Sequence, residues 1–173
     1  IDTDWKLGFI GRNGRGKTTL LNLLLGKYDY RGKISASVTF DYFPFEVENK
    51  SRTTIDIIDS INNSYEVWEL NRELSLLDVD QDVLYRPFET LSNGEQIKVL
   101  LAALFLKEQN FLLLDEPTNH LDEEGKETIA EYLKKKKGFI LVSHDRDFLD
   151  KIIDHVLSVN KTNIDIIRGN FSD

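Results

Sequence analysis

The residues Gly11-Arg12-Asn13-Gly14-Arg15-Gly16-Lys17-Thr18 read G-x-x-x-x-G-K-T and lie between an apolar run, Leu7-Gly8-Phe9-Ile10, and a helix-like run beginning at Thr19. In that setting the motif predicts a strand, a tight turn and a helix whose amides close around a phosphate. Glycine at 11, 14 and 16 lets the backbone take positive φ and approach an oxyanion, so that successive N–H groups point at one phosphate. The helix starting near Lys17 adds the positive end of its dipole, and the Lys17 ammonium reaches the outer phosphates. The Thr18 hydroxyl then suits Mg²⁺. A plain glycine-rich turn is the alternative for this motif taken alone.

About a hundred residues later, Phe111-Leu112-Leu113-Leu114-Asp115-Glu116 is a short apolar run ending in two acids. It predicts a buried parallel strand that delivers carboxylates at its C-terminal end, where ligands sit in open α/β sheets. Asp115 suits Mg²⁺, directly or through water, because Mg²⁺ prefers few carboxylates plus phosphate and retained waters. Glu116, one residue beyond, suits orienting or deprotonating a water that attacks a terminal phosphate. Solvated acids at a strand end are common singly but improbable together with a phosphate loop.

Two further segments narrow the reading. Leu91-Ser92-Asn93-Gly94-Glu95-Gln96 opens a helix with apolar positions at Ile97, Leu100, Leu101 and Leu104, and Ser92 with Glu95 has the spacing of a capping box. By itself this is simply a good helix start. Phe139-Ile140-Leu141-Val142 reads as another strand and ends in Ser143-His144-Asp145-Arg146, which puts an imidazole at a strand end. Those polar neighbours are not a hydrolase triad, since adjacent strand residues face opposite ways and triad members converge from separated positions.

The order of these segments, with Pro117-Thr118-Asn119-His120-Leu121-Asp122 after the paired acids and Ser143-His144-Asp145-Arg146-Asp147-Phe148-Leu149 further on, resembles the nucleotide-binding domain of an ABC ATPase. The wording E-P-T-N-H-L-D and S-H-D-R-x-F-L is similar to the ABC-F branch, soluble twin-domain ATPases that act on ribosomes, some of them protecting ribosomes from antibiotics. Ile167-Arg168-Gly169-Asn170-Phe171-Ser172 resembles the segment that closes a domain in that branch. The likeness runs over residues 5–172.

It implies an α/β P-loop NTPase core with a mainly parallel sheet and an inserted helical subdomain. Residues 1–173 would be one nucleotide-binding domain, with the core at 1–45 and 90–173 and the helical part at 46–89. Gly11, Arg12, Asn13, Gly14, Arg15, Gly16, Lys17, Thr18 and Thr19 are implied to hold the phosphates of ATP, with Thr18 and Asp115 on Mg²⁺. Glu116 becomes the catalytic base and His144 the switch that contacts the γ-phosphate. Ser92, Asn93, Gly94 and Glu95 are implied to act in trans, capping ATP held by a second nucleotide-binding domain arranged head to tail. Asn119, His120, Leu121 and Asp122 would form the loop where the two domains meet. A helix N-terminus suits such a cap, because its free N–H groups and dipole meet the negative phosphate only after closure. Hydrolysis would then need the partner domain, and the ribosome would be reached through the parent protein. An ATP-binding subunit of a membrane transporter is the alternative, and a nucleotide-gated interaction module with vestigial hydrolysis is the third reading.

The chain departs from the family pattern in three places. Where ABC ATPases usually carry a Gln after the strand that follows the first helix, it reads Asp41-Tyr42-Phe43-Pro44-Phe45-Glu46. Phe45 can neither ligate Mg²⁺ nor orient water, so that role is absent or displaced to Glu46. L-S-G-G has become L-S-N-G, and Asn93 is expected to preserve the cap, since Asn tolerates positive φ and hydrogen-bonds. Only residues 1–6 precede the first strand, so the resemblance implies a fragment lacking most of the N-terminal antiparallel strands. Trp5 is a conceivable adenine platform, but a Trp opening a strand is more often a packing residue.

With 173 residues at 40% hydrophobic content the chain can bury one sizeable core. No cysteine is present, which excludes disulfides and thiolate metal sites, and no apolar run approaches the roughly 20 residues needed to span a bilayer. These features fit a cytoplasmic domain without direct membrane insertion. A net charge of −8 argues against a broad nucleic-acid footprint. Periodicity predicts strands at 5–10, 33–43, 111–116, 139–142, 155–159 and 164–168. It predicts helices at 17–25, from 53 to 77 with a break at Asn62-Asn63-Ser64, from Ser92 onward, and at 123–137. In the 53–77 pair Ile55, Ile58, Ile61, Trp68 and Leu74 fit the apolar faces. The run Lys134-Lys135-Lys136-Lys137 at the end of the helix at 123–137 suggests either RNA contact or, the favoured reading, a complement to a negative helix C-terminus. His155 reads as a surface or edge-strand residue.

Overall fold

The computed structural model describes residues 4–10, 39–108, 110–159 and 164–172. The phosphate loop, the expected helix at 17–25 and the extended stretch at 33–38 lie outside the described residues. The chain divides into two compact units, one formed by Ile1–Pro44, Phe111–Pro117 and Lys137–Asp173, the other by Phe45–Asn110 and Thr118–Lys136.

The first unit carries the sheet, apart from Asn110 at the start of one strand. Its strands are β1 (Lys6–Ile10), β2 (Thr39–Phe43), β3 (Asn110–Asp115), β4 (Phe139–Ser143), β5 (His155–Val159) and β6 (Ile164–Arg168), in the spatial order β2-β3-β4-β1-β5-β6. β4 pairs in parallel with β1 and β3, β5 in parallel with β1, and β6 antiparallel to β5. The apolar run of β4 is buried at every position, as a central parallel strand covered on both faces must be. Leu7 and Phe9, Phe111 and Leu113, Ile140 and Val142, with Leu157, form one buried cluster flanked by Trp5, Phe40 and Ile166. The step of two along each strand is the period of the pleat. On β1, a Cβ at Gly8 would fall 2.5 Å from Cδ1 of Ile153, so glycine is what lets that side chain lie against the strand.

Trp5 stacks on His155 with ring centroids 4.1 Å apart at 19°, so one face of the indole is used in packing. His155 is accordingly not at an edge. It lies on β5, between β1 and β6, with 13% of its side chain exposed and Nδ1 2.7 Å from Oδ1 of Asp154. A single helical turn, Arg146–Asp150, follows β4, N-capped by Asp145, whose Oδ1 accepts from the Phe148 amide at 3.0 Å. The Gly-Asn-Phe-Ser segment near the C-terminus clasps this turn. Asp150 accepts from the Phe171 amide at 2.7 Å and from the Ser172 hydroxyl, while the Arg146 guanidinium sits 5.8 Å from the Phe171 ring centroid.

The second unit is helical: α1 (Thr54–Ile61), α2 (Val67–Leu76), α3 (Asn93–Phe105) and α4 (Glu123–Lys134), with 3-10 turns at Gln81–Tyr85 and Phe88–Thr90. The expected break between α1 and α2 is present. Asn62 is buried there, its Nδ2 donating to the Ala103 carbonyl at 3.4 Å and its Oδ1 accepting from the Ser64 amide at 3.0 Å. Val99 to Leu104 are all buried, which makes this part of α3 the centre of the unit.

Two sequence-based expectations change here. Trp68 is 62% exposed with Arg72 5.3 Å from its ring centroid, while Leu70, Glu73 and Leu74 form the buried side of α2. Leu70 and Leu74 are four apart and share a helix face, whereas Trp68 and Leu74, six apart, do not. The lysine run is also split. α4 ends at Lys134, which pairs with Glu131 at 2.9 Å, and Gly138 turns the chain at φ 79. Lys136 instead turns inward and pairs with Glu73, which is 1% exposed. Tyr132 donates to the same Glu73 Oε1 at 3.4 Å, and the Lys136 ammonium lies 5.0 Å from the Tyr132 ring centroid. A buried carboxylate needs a partner, and this one recruits the lysine from the loop.

Candidate functional site

Asp115 lies opposite Val142 in the parallel β3–β4 ladder, so the residues just past these strands emerge side by side at the C-terminal edge of the sheet. Asp115 is 7% exposed. Glu116 then adopts φ 51 while its amide donates to the Val142 carbonyl at 2.8 Å. A left-handed turn costs a non-glycine residue about 1–2 kcal/mol, and here it accompanies a defined contact. Glu116 Oε1 accepts from the His144 amide at 3.1 Å and lies 2.7 Å from His144 Nδ1. That contact is a hydrogen bond donated by Nδ1–H, with Nε2 on the far side of the ring. The His144 side chain is 72% exposed and that of Glu116 16%, so the acid is sheltered and the imidazole faces outward.

A third group joins this edge from β2. The Tyr42 hydroxyl donates to Asp115 Oδ2 at 2.6 Å. Burial, then the hydrogen bond and charge of Asp115, push the phenol pKa well above its ordinary value, so it remains a donor at neutral pH. Sequence reasoning assigned nothing to Tyr42; the available signal was a phenol two residues after Phe40, on the same face of the strand. Glu46, the alternative seat named for the missing Gln function, is exposed.

The donor set suits Mg²⁺. Among the described residues no three His, Cys, Asp or Glu side chains form a metal cluster. What the sheet edge offers is one buried strand-end carboxylate, already oriented by a phenol, and Mg²⁺ bound to nucleotides takes its other ligands from phosphate and water. Thr18, the second expected ligand, lies outside the described residues, as do Gly11, Arg12, Asn13, Gly14, Arg15, Gly16, Lys17 and Thr19.

The remaining expected residues converge in the second unit. A cleft of about 430 Å³ is lined by Ser92, Asn93, Gly94 and Glu95 together with His120, Leu121 and Asp122. The capping box is complete: the Glu95 amide donates to Ser92 Oγ at 3.1 Å and the Ser92 amide to Glu95 Oε1 at 2.9 Å. Asn93 is the first residue of α3, so its tolerance of positive φ is not used. Asp122 caps α4, its Oδ1 accepting from the Gly125 amide at 2.8 Å, so two helix N-termini open into one cleft. His120 turns the loop at φ 70, and Asn119 Nδ2 lies 3.4 Å from its Nε2.

Residues 1–119 match the family described as ABC transporter. The chain belongs to that family. This ABC domain is 36% identical over 169 residues to the ribosome protection protein VmlR of Bacillus subtilis, covering 92% of the chain and 30% of the relative. It is 31% identical over 180 residues to ABC transporter F family member 2 of Arabidopsis thaliana, covering 99% and 26%. Its relatives are therefore ABC-F proteins, and it spans about a quarter to a third of their length. Among solved structures, a crystal structure of the archaeal ribosome recycling factor aABCE1 with the archaeal ribosomal stalk protein aP1 superposes with a TM-score of 0.71 at 26% identity, covering 96% of this ABC domain and 34% of that chain. The expected P-loop α/β architecture with its mainly parallel sheet is thus the observed one. No helix among the described residues is long and apolar enough to cross a membrane.

Proposed function

We propose that this ABC domain binds MgATP and hydrolyses it within a cytoplasmic ABC-F protein that acts on the ribosome, with turnover that depends on a second nucleotide-binding domain. The observation that carries this reading is the Glu116 carboxylate, sheltered past β3 and held on the backbone and imidazole of His144. Residues 11–19 hold the phosphates through backbone amides and the Lys17 ammonium. Thr18 and Asp115 would hold Mg²⁺, which would supply positive charge to offset that of the phosphates.

Glu116 accepts a proton from water as the water oxygen bonds to the γ-phosphorus. The bond from that phosphorus to the bridging oxygen breaks, and ADP departs with the electron pair. His144 keeps Glu116 aimed through Nδ1 and meets a γ-phosphate oxygen through Nε2. The cleft at Ser92, Asn93, Gly94 and Glu95 covers the γ-phosphate of ATP on the partner's loop, and Asn119, His120, Leu121 and Asp122 meet the partner beside it. Two helix N-termini in one cleft favour an anion there. The ribosomal role is supported by a relative named as a ribosome protection protein.

Glu116→Gln tests the reading. In the parent protein the variant should bind ATP normally, hydrolyse it about 10²–10⁴-fold more slowly, and cosediment with ribosomes more strongly in ATP than in ADP. Unchanged hydrolysis removes Glu116 from the chemistry, and ribosome binding indifferent to nucleotide removes the proposed target.

A further inference from the structure

Tyr42 has no task in the mechanism above, yet it is tied to the residue on which metal binding depends. The geometry that brings it there is built into two strands. Phe40 packs edge-on against Phe111, with ring centroids 5.8 Å apart at 69°. Tyr42 follows Phe40 by two residues and Asp115 follows Phe111 by four, so all four side chains share one face of the sheet. The aromatic pair fixes the spacing of β2 and β3 in the core, and the Tyr42 hydroxyl spans the same gap at the rim, 2.6 Å from Asp115 Oδ2. A carboxylate that binds a divalent ion gains affinity when an outer donor fixes its orientation. Phe45 brings no polar side-chain atom to the exit of β2, and Glu46 is exposed.

We infer that Tyr42 is the positioning residue of the metal site, its hydroxyl fixing the Asp115 carboxylate for the divalent cation that accompanies ATP and so supplying from β2 the polar contact that Phe45 cannot. The inference rests on the MgATP reading proposed above, and it makes Tyr42 part of cation binding rather than of nucleotide binding as such.

The test is Tyr42→Phe in the 173-residue chain, with Mn²⁺ as the probe. Mn²⁺ affinity is titrated by electron paramagnetic resonance in the presence of a non-hydrolysable ATP analogue, and analogue binding is measured separately in EDTA. The expected result is Mn²⁺ affinity weaker by about 10–100-fold with metal-free nucleotide binding unchanged. Unchanged Mn²⁺ affinity overturns the inference, and so does an equal loss of metal-free binding, which marks a merely structural role. If the unsubstituted chain takes up no Mn²⁺ with the analogue, the MgATP reading itself fails. A measurement without mutation guards against a variant that does not fold: in ¹³C-tyrosine-labelled protein, the Tyr42 ring signal should shift when Mg²⁺ is added to the nucleotide-bound chain. A signal that stays fixed overturns the inference.

Discussion

The buried pair of Glu73 and Lys136 offers a sharp test of how the helical unit is held. Glu73 is 1% exposed and its Oε2 has no hydrogen-bond partner among the described residues, so Oε1 carries the whole compensation for burial, from Lys136 and Tyr132. Lys136→Met leaves that carboxylate without a cation, a change that costs about 3–5 kcal/mol at buried sites. Glu73→Leu is the milder change. The Lys136 side chain is 18% exposed and can turn outward to water, so its cost should stay below that of the lysine substitution. The double variant Glu73→Leu/Lys136→Met exchanges an ion pair for apolar side chains of similar volume, which is often neutral or stabilising by about 1–4 kcal/mol. The four proteins form a double-mutant cycle read by urea denaturation, with circular dichroism following the helices. The expected outcome is a double variant more stable than the Lys136→Met single variant. Additive losses, or a Lys136→Met cost under about 1 kcal/mol, the median range of exposed pairs, would show that Glu73 reaches water and that its burial is not a constraint on the fold.

Two further outcomes follow from packing and titration. Gly8→Ala forces the Ile153 side chain off β1, where Cδ1 and Cγ2 would sit 2.5 and 2.8 Å from the new methyl group, and should destabilise by about 1–3 kcal/mol; a denaturation midpoint equal to that of the unsubstituted chain would refute this. Burial, then the Glu73 charge, raises the Tyr132 pKa well above 10.0. A raised acid pKa means the stability it contributes is intact below about pH 10, the unfolded tyrosine value, and is lost as pH climbs beyond it. Unfolding free energy should therefore fall with pH above that point, and Tyr132→Phe should flatten the fall; equal slopes in the two proteins would contradict it.

Where a local pattern carries its own geometry, the sequence could be read directly. The S-x-x-E spacing at Ser92 and Glu95 states a capping box because both partners lie within one helical turn, and both hydrogen bonds are present. The paired acids after Phe111-Leu112-Leu113-Leu114 announced a strand end because an apolar run of that length has few other uses, and Asp115 closes β3. The features that escaped depend on partners far apart in the chain. Nothing near Tyr42 indicates Asp115, because their meeting requires β2 and β3 to be neighbours. Nothing near Glu73 indicates Lys136, so a helix with an acid on its buried side and a tryptophan on its exposed side looked like the reverse. The lysine run was misread for the same reason, since its local neighbourhood explains Lys134 but not Lys136.

The bonds from Phe171 and Ser172 to Asp150 carry a mechanical implication. Tension exerted on residues 171 and 172 is transmitted through one helical turn to the residue immediately before Asp145, which is His144. The clasp is thus a tether between residues 171 and 172 and the strand end that presents His144.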